Sequence, residues 1–210
     1  MALRWPEPRL RALAAVAVVV TETPWLLTRE LAGPLDDDQL LHAIALAAYF
    51  GHLNRIADAV AVALDYTVQI EPPRTDPSVP VLLPAPSALE GEPVLAISQR
   101  PATATAFAAW RSYLIERETP RLDRDRRAAI TALVTGLVGA GPASTRPIDA
   151  VLELATLVTL APWRLSDRAF EPLRAKGFTD ADLFDLCVVA SSTSVWARVQ
   201  AATLALGRVR

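Results

Sequence analysis

Both histidines of this chain, His42 and His52, lie in one of its most apolar stretches, LLHAIALAAYFGHLNRIADAVAVAL (40–64), together with Tyr49, Asn54, Arg55 and Asp58. These residue types can do chemistry. A neutral imidazole can act as a general base near neutral pH. A guanidinium presents a planar fork that suits a carboxylate. On a helix, Arg55 and Asp58 are i,i+3 neighbours, and Asn54 and Asp58 are i,i+4 neighbours. His42 and Tyr49 fall on nearly the same face, with His52 about 80° away. One reading is a pocket edged by His42, Tyr49 and His52, where His52, Tyr49 and Arg55 act on a small carboxylate or lactone. The other is structural. In it His42, Asn54, Arg55 and Asp58 form a polar cluster that anchors the helix, because buried polar groups must be satisfied. Arg55 and Asp58 are then expected to be coupled, each stranded by loss of the other.

The rest of the chain narrows the chemistry. Its single cysteine, Cys187, excludes a disulfide framework, a CxxC redox pair and a cysteine zinc site within one chain. No HExxH spacing is present, so no metal and no cofactor are expected. Cys187 sits in LFDLCVVA and reads as a buried small hydrophobe. The formal net charge of -2 gives no global basic field for nucleic acid or an anionic membrane. Lys176 is the one lysine among 21 basic residues, which together with the many alanines fits a GC-rich bacterial genome. Arg4, Arg9 and Arg11 before LAAVAVVV superficially resemble a leader. The apolar run is far shorter than the ~20 residues of a membrane span, and the stretch is part of a repeat. It therefore reads as a folded helix of a cytoplasmic protein.

The repeat carries the architecture. VAVVVTETPWLLT (16–28) echoes LATLVTLAPWRLS (154–166), with Pro24-Trp25 matching Pro162-Trp163. Each stretch is an apolar helix, a Pro-Trp stop, and Thr28 or Ser166 as a helix cap. A long apolar helix follows in each copy, pairing Leu40 with Leu183, Arg55 with Arg198 and Ala59 with Ala202. The second copy keeps the arginine but has Ser192-Thr193 for Tyr49-Phe50, Val195 for His52 and Ala197 for Asn54. Loss of these polar and aromatic groups from one copy points to a role in a single place, a pocket or an asymmetric interface. Trp25 and Trp163 read as caps on the core beneath the proline turns. Helices are expected near 9–22, 37–64, 103–118, 124–139, 147–160, 167–176 and 180–206, with Pro172 disturbing the sixth. Prolines crowd 66–102, which reads as extended and irregular, with a possible helical turn at SALE (87–90). The division is repeat 1 (1–66), a Pro-rich linker (67–102) and repeat 2 (103–210), the repeats forming one compact domain.

The helix AAYFGHLNRIADAVAVALD resembles that of AhpD-like alkylhydroperoxidases in the carboxymuconolactone decarboxylase superfamily. The TPW and APW elements, AKGFTDADL and LDRDRRAAITALVTGLV resemble that family as well. The resemblance implies an all-α AhpD-like helical bundle with an internal two-fold repeat, and a homo-oligomer, dimer or higher. In active members a CxxC with a nearby glutamate and histidine reduces hydroperoxides, one thiolate attacking and the second resolving. The matching position here, VGAGPAST (138–145), has neither cysteine nor histidine. The expectation is a family member that has lost thiol peroxidase activity and keeps a ligand-binding or assembly role. Two alternatives stay open: a cofactor-free decarboxylase or lactone-type enzyme with a small anionic ligand at Arg55, and a structural oligomer subunit.

Overall fold

The computed structural model describes residues 7–60, 101–142, 144 and 146–207. Residues 67–100 of the Pro-rich linker, with SALE, lie outside the described residues, as do Trp5 and the end of the second expected helix. Pro101 and Ala102, expected to belong to that linker, open a helix instead. Among the described residues every regular element is a helix, as the pattern predicts. The order is α1 (Pro8–Glu22), α2 (Arg29–Ala32), α3 (Asp37–Ala59), α4 (Pro101–Glu116), α5 (Arg124–Leu137), α6 (Ala150–Leu160), α7 (Asp167–Arg174) and α8 (Asp180–Leu206). None of these helices is long and apolar enough to cross a membrane.

Local chemistry explains the starts and stops. Asp36 caps α3 by accepting from the amide of Gln39, and Asp123 caps α5 by accepting from that of Arg126. Asp149 does the same for α6, and Thr179 and Asp182 form a capping box on α8. Helix α5 stops where Gly139 takes a left-handed φ of 74°, a conformation that glycine adopts without steric penalty. Helix α2, absent from the expectation, is one turn capped by Thr28. Pro172 does not break α7. In so short a helix its missing N–H forfeits a single bond, and Phe170 and Leu173 anchor the turn in the core.

The two Pro-Trp stretches adopt the same turn. Pro24–Leu26 and Pro162–Arg164 are both 3-10 turns. Thr23 before the first has φ −142° and ψ 61°, and Ala161 before the second has φ −145° and ψ 56°. Their surroundings differ. Trp25 packs against Val138, Ala140, Ala197, Ala201 and Leu204, so it caps core as expected. Trp163 is an exposed aromatic and does not. Among the described residues nothing stands over Trp163 as the end of α5 stands over Trp25.

Helix α8 is buried along nearly its whole length, because its residues are apolar or small on every face. Its first half packs with α5, α6 and α7 around Ile130, Val134, Leu154, Val158 and Leu186. Its second half packs with α1, α2 and α3 around Val16, Val20, Leu40, Ile44 and Ala202. The two halves of the sequence thus share one central helix.

Arg127 on α5 locks the remaining helix in place. It is fully buried and donates to the carbonyls of Leu122 (3.1 Å) and Leu114 (2.7 Å) and to the carboxylate of Asp185 on α8. One guanidinium therefore joins α4, α5 and α8. Arg127→Ala leaves Asp185 and the Leu114 carbonyl without this donor, while the Leu122 carbonyl keeps the amide of Thr119, and is expected to cost on the order of 3–5 kcal/mol. Urea denaturation measures it. A loss below about 1 kcal/mol would show that this three-way tie does not hold the fold.

Candidate functional site

The polar residues of α3 point in different directions. Arg55 turns inward and is buried. Its Nε and Nη2 donate to the carbonyl of Thr159, each at 3.2 Å, and its Nη1 donates to the carbonyl of Gly51 at 2.7 Å. A Cβ on residue 51 would sit 2.7 Å from Arg55 Nη1, so glycine is what lets the guanidinium fold back along its own helix.

Arg198 on α8 repeats the arrangement in reverse. It is buried, its Nε donates to the carbonyl of Thr21 at 3.1 Å, and its Nη1 donates to Ser194 Oγ one turn back. Its Nη2 reaches the Thr159 carbonyl at 3.5 Å. Thr21 and Thr159 are the matching residues near the C-terminal ends of α1 and α6. Their hydroxyls bond back to Ala17 and Ala155 at 2.8 and 2.7 Å. Each arginine therefore caps the helix of the opposite half that ends at a Pro-Trp turn, Arg55 capping α6 and Arg198 capping α1. The last carbonyls of a helix have no partner within it, and its C-terminal end favours a cation. The charge is costly even so. Burial pushes the Arg55 guanidinium down to about 10, against the raising pull of Asp58. Burial, and then the Arg55 charge, holds Arg198 well below the ordinary arginine range.

Asn54 and Asp58 face outward. Asp58 acts on Arg55 as a nearby charge, while the hydrogen bonds of Arg55 go to backbone carbonyls. The expected reciprocal ion pair is thus replaced by a helix cap. His42 is exposed near the start of α3, its Nδ1 3.0 Å from the Asp38 carbonyl and 3.8 Å from that carboxylate. His42, Asn54, Arg55 and Asp58 do not come together as one cluster. His42 stands several turns from the others, Arg55 turns to the core, and Asn54 and Asp58 turn to solvent.

His52 and Tyr49 do meet, and they meet partners that the sequence did not mark. His52 Nδ1 lies 2.9 Å from Ser191 Oγ on α8, whose hydroxyl in turn donates to the Cys187 carbonyl at 2.7 Å. Trp110 of α4 is the hub of an aromatic group. Its ring centroid lies 5.5 Å from His52, 6.4 Å from Tyr49, 5.8 Å from Phe107 and 5.1 Å from Trp196, all edge-on. The available signal was SSTS (191–194), a run of small hydroxyl residues inside an apolar helix. It lies where α8 meets α3.

A cavity of about 480 Å³ opens at the C-terminal end of α3. Leu165, Phe170, Leu183 and Cys187 line it, with Asp58, Asp167, Asp180 and Arg174 also on its wall. Arg174 is already paired with Asp180 at 2.9 Å and Asp167 at 3.8 Å. The balance of charge there is negative, which disfavours an anion. In comparisons with known proteins, no family model, no curated protein and no solved structure matches this chain.

Arg55→Ala uncovers the buried end of α6 and is expected to cost on the order of 3 kcal/mol. Asp58→Ala should change stability by no more than about 0.5 kcal/mol, and the double variant should be additive. Strong non-additivity in chemical denaturation would restore the ion pair. A separate test concerns His52, which burial, and then the Arg55 charge, holds below its ordinary 6.5. Under mildly acid conditions the unfolded chain takes up a proton that the folded chain refuses. Stability should then fall as the pH drops from about 7 toward 5. Thermal melts across that range should flatten in His52→Gln. An unchanged slope would mean that His52 titrates alike in both states.

Proposed function

We propose that this chain is an AhpD-like bundle of two repeated helical units that has left thiol redox chemistry and works by assembly. The single observation that carries the first half is the state of the one thiol. Cys187 is 1% exposed, and burial pushes it up to about 12. A thiol is nucleophilic as the thiolate, so at neutral pH Cys187 is inert even where a peroxide could reach it. It also lies on α8 rather than after α5, where the family's redox pair would sit.

The matching Pro-Trp turns and the exchanged arginine caps support the repeated architecture. The arginine caps also weigh against the small-carboxylate reading, because the donors of Arg55 are given to carbonyls. What remains for function is surface. Leu46, Tyr49, Phe50 and Leu53 of α3 are exposed large apolar groups on consecutive turns of one helix. That favours an assembly role over an internal active site.

The expected outcome is no turnover of an organic hydroperoxide with a dithiol donor. In the native chain Cys187 should resist an aromatic disulfide reagent, and in denaturant it should react fully. Turnover abolished by Cys187→Ser would overturn this reading and establish a one-cysteine mechanism.

A further inference from the structure

The middle of α3 carries no formal charge. From Leu40 through Asn54 there is no Asp, Glu, Lys or Arg, in a chain where these residues make up 21%. Within that run Leu46, Tyr49, Phe50 and Leu53 are 57, 43, 54 and 42% exposed and share one side of the helix. A helix face turned to water ordinarily carries charge.

The matching face of α8 shows what such a surface needs. Val189, Ser192 and Thr193 occupy the positions of Leu46, Tyr49 and Phe50, and all three are buried. Val189 belongs to the same buried core as Ile130 and Val134 of α5. Among the described residues no helix covers Leu46 and Phe50 in that way.

The spacing names the occupant. Leu46-x-x-Tyr49-Phe50-x-x-Leu53 reads the same from either end, large apolar groups at the same intervals about a midpoint between Tyr49 and Phe50. A two-fold contact is self-complementary, and such a pattern meets that requirement where a helix crosses its own symmetry mate. We infer that this face is the contact between two copies of the chain, with α3 antiparallel to the same helix of its partner. Leu46 of one copy then meets Leu53 of the other, and Tyr49 meets Phe50. The four side chains expose roughly 400 Å² per copy, taking aromatic groups at about 150–250 Å² each. A specific contact should bury about 500 Å² per copy, and half-buried Ala57 and exposed Val60 on the same stripe bring the face to about that area. The inference rests on the assembly reading above and gives it a partner and a surface.

Sedimentation equilibrium of the full chain tests it at micromolar concentration. The wild-type chain is expected to be a dimer. Phe50→Glu and Leu46→Glu should each weaken it at least about 100-fold, and Val18→Glu on the exposed side of α1 should leave it unchanged. Circular dichroism checks that each variant keeps its helices. Phe50→Cys supplies a second readout, since Cys187 is buried. A short bis-maleimide should link Phe50→Cys chains in pairs, and Val18→Cys chains should stay single. A monomeric wild-type chain overturns the inference, including the case where a different protein takes this face. So does a dimer that survives both glutamate variants and does not cross-link. Peroxidase turnover by a chain that dimerises through α3 would sink the redox reading and leave this one standing.

Discussion

The last turns of α1 and α6 come up against the long helices of the opposite halves, and their carbonyls must find donors there. Arg55 and Arg198 supply them, each reaching from its own long helix to the shorter helix of the other half. An unsatisfied buried carbonyl costs about 1–3 kcal/mol, so the caps decide how the halves fit together. They also have a cost, because two guanidiniums share the Thr159 carbonyl and repel each other. Lysine could not replace them. The fork gives each side chain separate donors for two acceptors, and a compact ammonium offers no such geometry.

Those caps fix how α3 is rotated about its axis. With Arg55 pointing inward, Leu46, Tyr49, Phe50 and Leu53 must face out, and His52 is brought against Ser191. Asp58 is carried to the wall of the cavity. The chemistry open to the helix follows from that rotation. Its strongest anion-binding group is committed to the backbone. The imidazole of His52 sits in an aromatic group around Trp110. Cys187 lines the same cavity as Asp58, and burial keeps its thiol from ionising at neutral pH.

Similar sequences in dissimilar surroundings explain the differences between α3 and α8. Helix α8 lies between both halves and is covered by α5, so at three positions it carries valine, serine and threonine where α3 carries leucine, tyrosine and phenylalanine. Val189, Ser192 and Thr193 are fully enclosed there, where added side-chain volume forces the surrounding packing apart. On α3 the same positions are open, and among the described residues nothing in the packing limits their size. Trp25 and Trp163 show the same contrast, one under the end of α5 and the other exposed.

The sequence by itself marked the longer helices, to within two or three residues at the ends of α4 and α6, and left out the one-turn α2. Asp36, Asp123 and Thr179 act on amides within one turn, and Gly139 and the Pro-Trp pairs stop helices through their own backbone preferences. It marked the two Pro-Trp turns as alike, and it excluded a dithiol mechanism within one chain, since a single cysteine cannot form an intramolecular pair. Only the tertiary structure decided what Arg55 does, which side of α3 meets water, and that Trp163 stays uncovered. The physical reason lies in the acceptors. Arg55 and Arg198 bind backbone carbonyls, which every residue possesses, so no residue type marks Thr21 or Thr159 as the partner. Asp58, the acceptor that the sequence does mark, stands one turn away and lies outside the cap.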